Sequence, residues 1–238
     1  MLDAVGSGDD MEDEKEEELK SEALDKSGLS LGRINSFSDG VFAVAITLLV
    51  LSIHVPHIAP IVADQKLPHE LIKLIPIFEA YVVSFLVIGL FWIGHHRVFS
   101  HFKRHDSGLL WLNLIFLMMI VFIPFPTSLI SEYPTSRAAF IFYACSLALA
   151  GIMITVLFWY GLHGNRLADG VAGEYRRRFF FGYLDMSAVF LLSIPISFLS
   201  VRVAKYFWLL IIPSNYFFDH VTIKKLAARD SGGGKTGG

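Results

Sequence analysis

The sequence predicts an all-α integral membrane protein with six transmembrane helices per subunit, and three observations carry that reading. Of its 238 residues, 54% are hydrophobic and only 18% charged, an apolar share above and a charge share below those of ordinary soluble domains. Apolar runs recur along the chain, several of them matching the roughly 20 residues a helix needs to cross about 30 Å of hydrocarbon. Lysine and arginine collect in every second gap between those runs, as short cytoplasmic loops require.

Residues 1–30 hold eleven Asp and Glu against three Lys, a local charge of −8 in a chain of net charge −2, which leaves the remainder at +6. The EDEKEEE run reads as a solvated acidic cytoplasmic tail without a core of its own. A secretory signal would open with a basic stretch and close on small residues. Neither is present, so the first apolar segment is expected to remain in the mature protein.

Residues 31–220 are read as the transmembrane domain. The expected spans are 34–55, 75–96, 109–130, 138–162, 181–201 and a shorter one at 206–218. The last contains Pro213 and fits either a kinked span or half of a re-entrant hairpin with its neighbour. Residues 221–238 form a basic, then glycine-rich tail. Its GGGKT sequence fails as a phosphate-binding loop, because Arg229 stands where the first glycine is needed and no strand precedes it.

With both termini cytoplasmic, fifteen lysines and arginines fall inside, and only Lys66, Lys73, Arg137, Arg202 and Lys205 fall outside. That asymmetry fixes the expected orientation in the cell membrane. Trp92, Trp111, Trp159 and Trp208 lie near expected borders, where interfacial belts and core packing account for them equally well. The lone cysteine, Cys145, excludes an intrachain disulfide and reads as a small buried hydrophobe.

The first span, RINSFSDGVFAVAITLLVLSI, opens on polar groups that a plain anchor would lack. A carboxylate such as Asp39 costs about 2.5–3.5 kcal/mol at mid-helix and less near the interface, so it should face protein or water; it could also serve only as a terminal cap with Ser38. Arg33 and Phe37 are four apart and share a face, whereas Arg33 and Asp39 point about 120° apart. Asp39 is therefore expected to pair with a neighbouring helix, where His95, His96 and Asn113 lie at similar depth. Gly40 and Ala43 would permit close helix approach. Further along, Val44, Leu48 and Leu51 recur at i, i+4 and i+7 beside Thr47. Such a stripe is common in leucine-rich membrane helices; converging on an axis, it would make a hydrophobic constriction. The polar pattern occurs once, so a pathway on a symmetry axis would need several subunits.

His95, His96, His101, His105 and Asp106 cluster within twelve residues and raise the alternative of a membrane metalloenzyme. Arg97, Lys103 and Arg104 crowd the same stretch with positive charge, and no second histidine box follows. The better expectation is no bound metal. A second alternative is a proton-coupled carrier or proton pathway using Asp39 and a membrane histidine. No Ser/His/Asp or Cys/His nucleophile set is apparent, so an enzyme is not expected. Arg176, Arg177 and Arg178 read as a topology signal or lipid-headgroup contact rather than a nucleic-acid site.

The run from Arg33 through Phe37, Ser38, Asp39 and Gly40 to Thr47, Leu48 and Leu51 resembles the opening helix of the prokaryotic relatives of the animal lysosomal potassium channel, the transmembrane protein 175 family. FWIGHHRVF at 91–99, LLWLNL at 109–114 and PFPTSLI at 124–130 are similar to that family in order and spacing, and the likeness extends over residues 33 to about 218. It implies a six-span subunit assembling as a homotetramer around a pore lined by the first helix. It also implies conduction of potassium in preference to sodium, without a TVGYG filter and without a cofactor.

Carried over by position, Val44, Leu48 and Leu51 are the constricting layers and Thr47 contributes a hydroxyl. Arg33, Phe37, Ser38, Asp39, His95, His96 and Asn113 form a structural polar network that fixes the pore helix. Val44 stands where the family commonly has Ile or Leu, which would widen that layer. Potassium holds its water less tightly than sodium, so a narrow, weakly coordinating constriction that strips part of the shell penalises sodium more.

Overall fold

The computed structural model describes residues 31–102, 106–162 and 186–208, together with Lys15 and Leu19; all other residues lie outside the described part. Every element between them is helical. Helix α1, Leu31–Leu48, ends in a tighter 3-10 segment, Leu49–Ser52. Helix α2, Ala63–Lys73, lies in the connection to α3, Ile75–Phe99. Then come α4, Ser107–Phe122, α5, Pro124–Glu132, and α6, Arg137–Leu162. Helices α7, Met186–Ser197, and α8, Val201–Phe207, complete the described part.

Among the described residues, four stretches are long and apolar enough to cross a membrane: Leu31–Ser52, Ile75–Phe99, Ser107–Glu132 and Arg137–Leu162. The 25 residues of α3 rise about 38 Å, ample for the hydrocarbon layer. The exterior is apolar, as lipid requires: Val82, Phe85 and Leu86 of α3 and Leu114, Ile115 and Met118 of α4 are all exposed. Six spans were expected. Among the described residues α7 runs over Met186–Ser197 and ends in a turn, so Val201 opens the next helix instead of closing the fifth span. Most of the expected sixth span lies outside the described residues.

The expected third span is broken. Pro124 and Pro126 cannot donate to the helical ladder, and α4 stops at Phe122, with Ile123 joining it to α5. The bend brings α5 against α3, α6 and the 3-10 end of α1. Helix α1 itself packs on α3 and α4, burying Ile34, Ser38, Phe42, Ala45 and Leu49.

Small residues set the close crossings. A Cβ on Gly161 would enter the Phe102 ring, one on Gly151 would meet Ser187 Oγ, and one on Gly108 would meet Tyr160 Oη. At that last end of the bundle Asp106 caps α4 by accepting from Leu109 N at 2.8 Å and also accepts from Tyr160 Oη at 2.7 Å. Near the opposite end of α6, Arg137 lies 4.8 Å from the centre of the Phe198 ring and clamps the α7–α8 turn. Trp208, placed near a membrane border by the sequence, is buried at 5% exposure. It stacks on Phe140 and donates to Ser193 Oγ at 2.9 Å, because a large indole fills the space among Phe140, Tyr143 and Phe190. Cys145, expected to be buried, is exposed: the small faces of α6 at Ala144 and Ala148 are turned inward instead.

Candidate functional site

Helix α1 has two faces of different kinds. At about 100° per residue the buried side chains centre roughly 130° away from Val44, Thr47, Leu48 and Leu51. Those four are exposed, Val44 at 54%, Leu48 at 37% and Leu51 at 66%, so the described helices leave this face uncovered. Gly40 lies on the same side, and a Cβ there would meet nothing within 4 Å. The 3-10 segment adds a local effect, since residues three apart eclipse in such a turn; Leu51 therefore stands almost directly along the axis from Leu48. Thr47 Oγ1 donates to the Val44 carbonyl at 2.8 Å, which commits its proton and leaves its lone pairs as acceptors.

The polar residues divide into two groups. Ser38, fully buried, donates to the Ile34 carbonyl at 2.9 Å and accepts from Asn113 Nδ2 at 3.1 Å. Asn113 Oδ1 in turn lies 2.8 Å from His95 Nε2, so the imidazole carries its proton on Nε2. The His95 ring is held among Phe42, Phe99 and Phe116, nearly parallel to Phe116 with centres 5.6 Å apart. These bonds tie α1, α4 and α3 together in an otherwise apolar interior, where every donor must find a partner inside the protein.

Asp39 has a different partner from those the sequence suggested. Its Oδ1 accepts from Trp92 Nε1 at 2.8 Å, and Trp92 stacks on His96 with centres 6.1 Å apart. Asp39 and Ser38 are adjacent and point about 100° apart, so one helix cannot aim both at Asn113. Trp92, which the sequence left open between an interfacial belt and core packing, thus belongs to the polar group. Its signal was the position four residues before His96, on the same face. Arg33 and Phe37 are exposed, on the side of α1 that carries Val44.

A third cluster went unread. Ser84 Oγ lies 2.8 Å from Thr127 Oγ1 and also bonds Tyr143 Oη, while Thr127 Oγ1 is 2.8 Å from the Ile123 carbonyl at the bend. A carbonyl only accepts, so the chain of donors runs from Tyr143 through Ser84 and Thr127 to Ile123. All three hydroxyl side chains are buried, and they join α3, α5 and α6. Serine, threonine and tyrosine scattered through apolar runs give little warning of such a meeting.

The sequence model of the family described as endosomal/lysosomal potassium channel TMEM175 matches residues 33–124, which hold nearly all of α1, with α3 and α4 and the polar residues from Arg33 to Asn113. A potassium channel of Streptomyces collinus is 42% identical over 144 residues, covering 58% of this chain and 68% of that protein. A potassium channel of Chamaesiphon minutus is 37% identical over 182 residues, covering 71% of this chain and 85% of that one. The chain belongs to the TMEM175 family. The crystal structure of a lysosomal potassium-selective channel TMEM175 homolog from Chamaesiphon minutus superposes with a TM-score of 0.69 at 33% identity, covering 79% of this chain and 97% of that one. Members of the TMEM175 family are ion channels, and the helical membrane architecture described above is theirs.

Proposed function

We propose that this chain is the subunit of a potassium-selective cation channel, in which four copies bring the uncovered face of α1 to a central axis. The supporting observation is the division of α1: a buried, hydrogen-bonded face fixes the helix to its own subunit, while Val44, Thr47, Leu48 and Leu51 remain exposed. Val44 and Leu48 are four residues apart and rise about 6 Å, so they form successive layers of a constriction. The apolar layers would force an ion to shed part of its water, a smaller penalty for potassium than for sodium. Thr47, its proton committed to Val44, offers an oxygen between them. Each subunit carries six spans, with both termini cytoplasmic in the cell membrane. The groups around Ser38 and Asp39, with Arg33 and Phe37, hold the helix in register, and potassium is the permeant ion with no cofactor.

The test is reconstitution of the full chain in planar bilayers under opposed potassium and sodium gradients. The native channel should reverse toward the potassium potential, and Leu48→Ala and Val44→Asn should each lower the potassium-to-sodium permeability ratio. An unchanged ratio in both variants removes these residues from the pore. A current that follows only an imposed proton gradient would instead favour a proton pathway through Asp39 and a membrane histidine.

A further inference from the structure

The connection between the first two spans contains an element that a plain loop would lack. Helix α2 has 11 residues, and none of them is buried. Its side chains are nonetheless sorted. At about 100° per residue, Ala63, Leu67, Leu71 and the following Leu74 share one arc, Lys66, His69 and Lys73 centre about 120° away, Glu70 stands at the border between the two groups, and Ile72 lies opposite the arc. Asp64 closes the apolar arc in the first turn, where a carboxylate offsets the helix dipole.

The leucines of the arc keep much of their surface open: Leu67 is 39% and Leu71 47% exposed, and Ile61, just ahead of the helix, is 94% exposed. On the polar side Lys73 Nζ donates to Glu70 Oε1 at 2.7 Å, and that bond lowers the Glu70 pKa below its ordinary value. That bond engages two of the polar groups with each other, while the leucines remain exposed.

Covalent geometry says where that partner is. Leu74 is both the last cap of α2 and the first cap of α3, so a single residue separates α2 from a membrane span. The exposed apolar surface continues in sequence through Ile75, 58% exposed, and Phe78, 44% exposed, into α3. We propose that α2 lies along the bilayer surface, with Ala63, Leu67 and Leu71 set among lipid acyl chains and Lys66, His69 and Lys73 toward the headgroups and water. A short helix with an apolar arc and basic residues opposite has the build of an interfacial segment, and the lysine stems reach outward from it. The occupant is lipid because the arc is continuous with a lipid-facing span. The inference does not depend on which ion the channel conducts.

Site-directed spin labelling of the reconstituted full chain tests it. With Cys145 replaced by Ser, single cysteines at Leu67, Leu71, Lys66 and Lys73, all exposed, are labelled in vesicles of phosphatidylcholine and phosphatidylglycerol. Collision rates with oxygen, which partitions into lipid, and with a water-soluble nickel chelate are then compared. Labels at Leu67 and Leu71 should favour oxygen by several-fold over those at Lys66 and Lys73. Equal nickel access at all four sites would mean that α2 stands in water. Protection of Leu67 and Leu71 from both reagents would mean that protein covers the arc, a second copy included. Either result overturns the proposal.

Discussion

Replacing Asn113 with leucine isolates what the buried bonds at α1 contribute. The side chain is 2% exposed and serves two helices, accepting from His95 and donating to Ser38. Asn113→Leu leaves the His95 Nε2–H among Phe42, Phe99 and Phe116 without an acceptor, at a cost of about 1–3 kcal/mol. Ser38 loses only a donor to its oxygen, since its own proton remains on the Ile34 carbonyl, which costs much less. The expected loss of stability is therefore about 1–3 kcal/mol, a factor of roughly 5–150 in the folded-to-unfolded ratio. Adding His95→Phe removes the stranded donor and places a ring where a ring already stacks, so the double variant should recover most of that loss. Reversible unfolding of the four proteins in mixed detergent, as a double-mutant cycle, gives the coupling directly. A double variant as unstable as the sum of the singles would refute the reasoning, as would an Asn113→Leu variant of native stability.

Four further substitutions follow from the same accounting. In the hydroxyl chain Tyr143→Phe removes the first donor and strands nothing, at a cost of about 0.5–1.5 kcal/mol, whereas Ser84→Ala strands the Tyr143 O–H and should cost about 1–3 kcal/mol; thermal unfolding of both variants should rank them in that order. Gly161→Ala drives a methyl group into the Phe102 ring and should destabilise the fold by about 1–3 kcal/mol. Gly40→Ala meets open space and should leave subunit stability unchanged, so a shift in oligomer mass confined to that variant, read by native mass spectrometry, would locate a subunit contact on the exposed face of α1.

Membrane spans are legible because length and apolar content answer to the thickness of hydrocarbon, a constraint that acts on each segment separately. The four long apolar stretches were all visible for that reason. The polar residues at Ser38, Asp39, His95 and Asn113 stood out likewise, since each is expensive in an apolar run wherever it points. The break at Ile123 was written in Pro124 and Pro126, but an apolar run that passes through two prolines keeps its hydropathy and so reads as continuous. The pairing of Asp39 was not legible: Trp92 counts as a border residue by composition, and only its position on a packed helix brings its indole N–H to the carboxylate.

Sequence alone therefore determined that the chain crosses a membrane, where its long apolar segments run, which polar groups inside them need partners, and through resemblance the family to which it belongs. Tertiary structure decided which partner each group takes, that Trp208 is buried, that the hydroxyls of Ser84, Thr127 and Tyr143 meet in the interior, and which face of α1 the described helices leave uncovered. The physical reason is that apolar length is a property of one segment. A hydrogen bond between helices depends on the rotation and depth of two, and those are set by close packing at positions such as Gly151 and Gly161, where even a methyl group would collide.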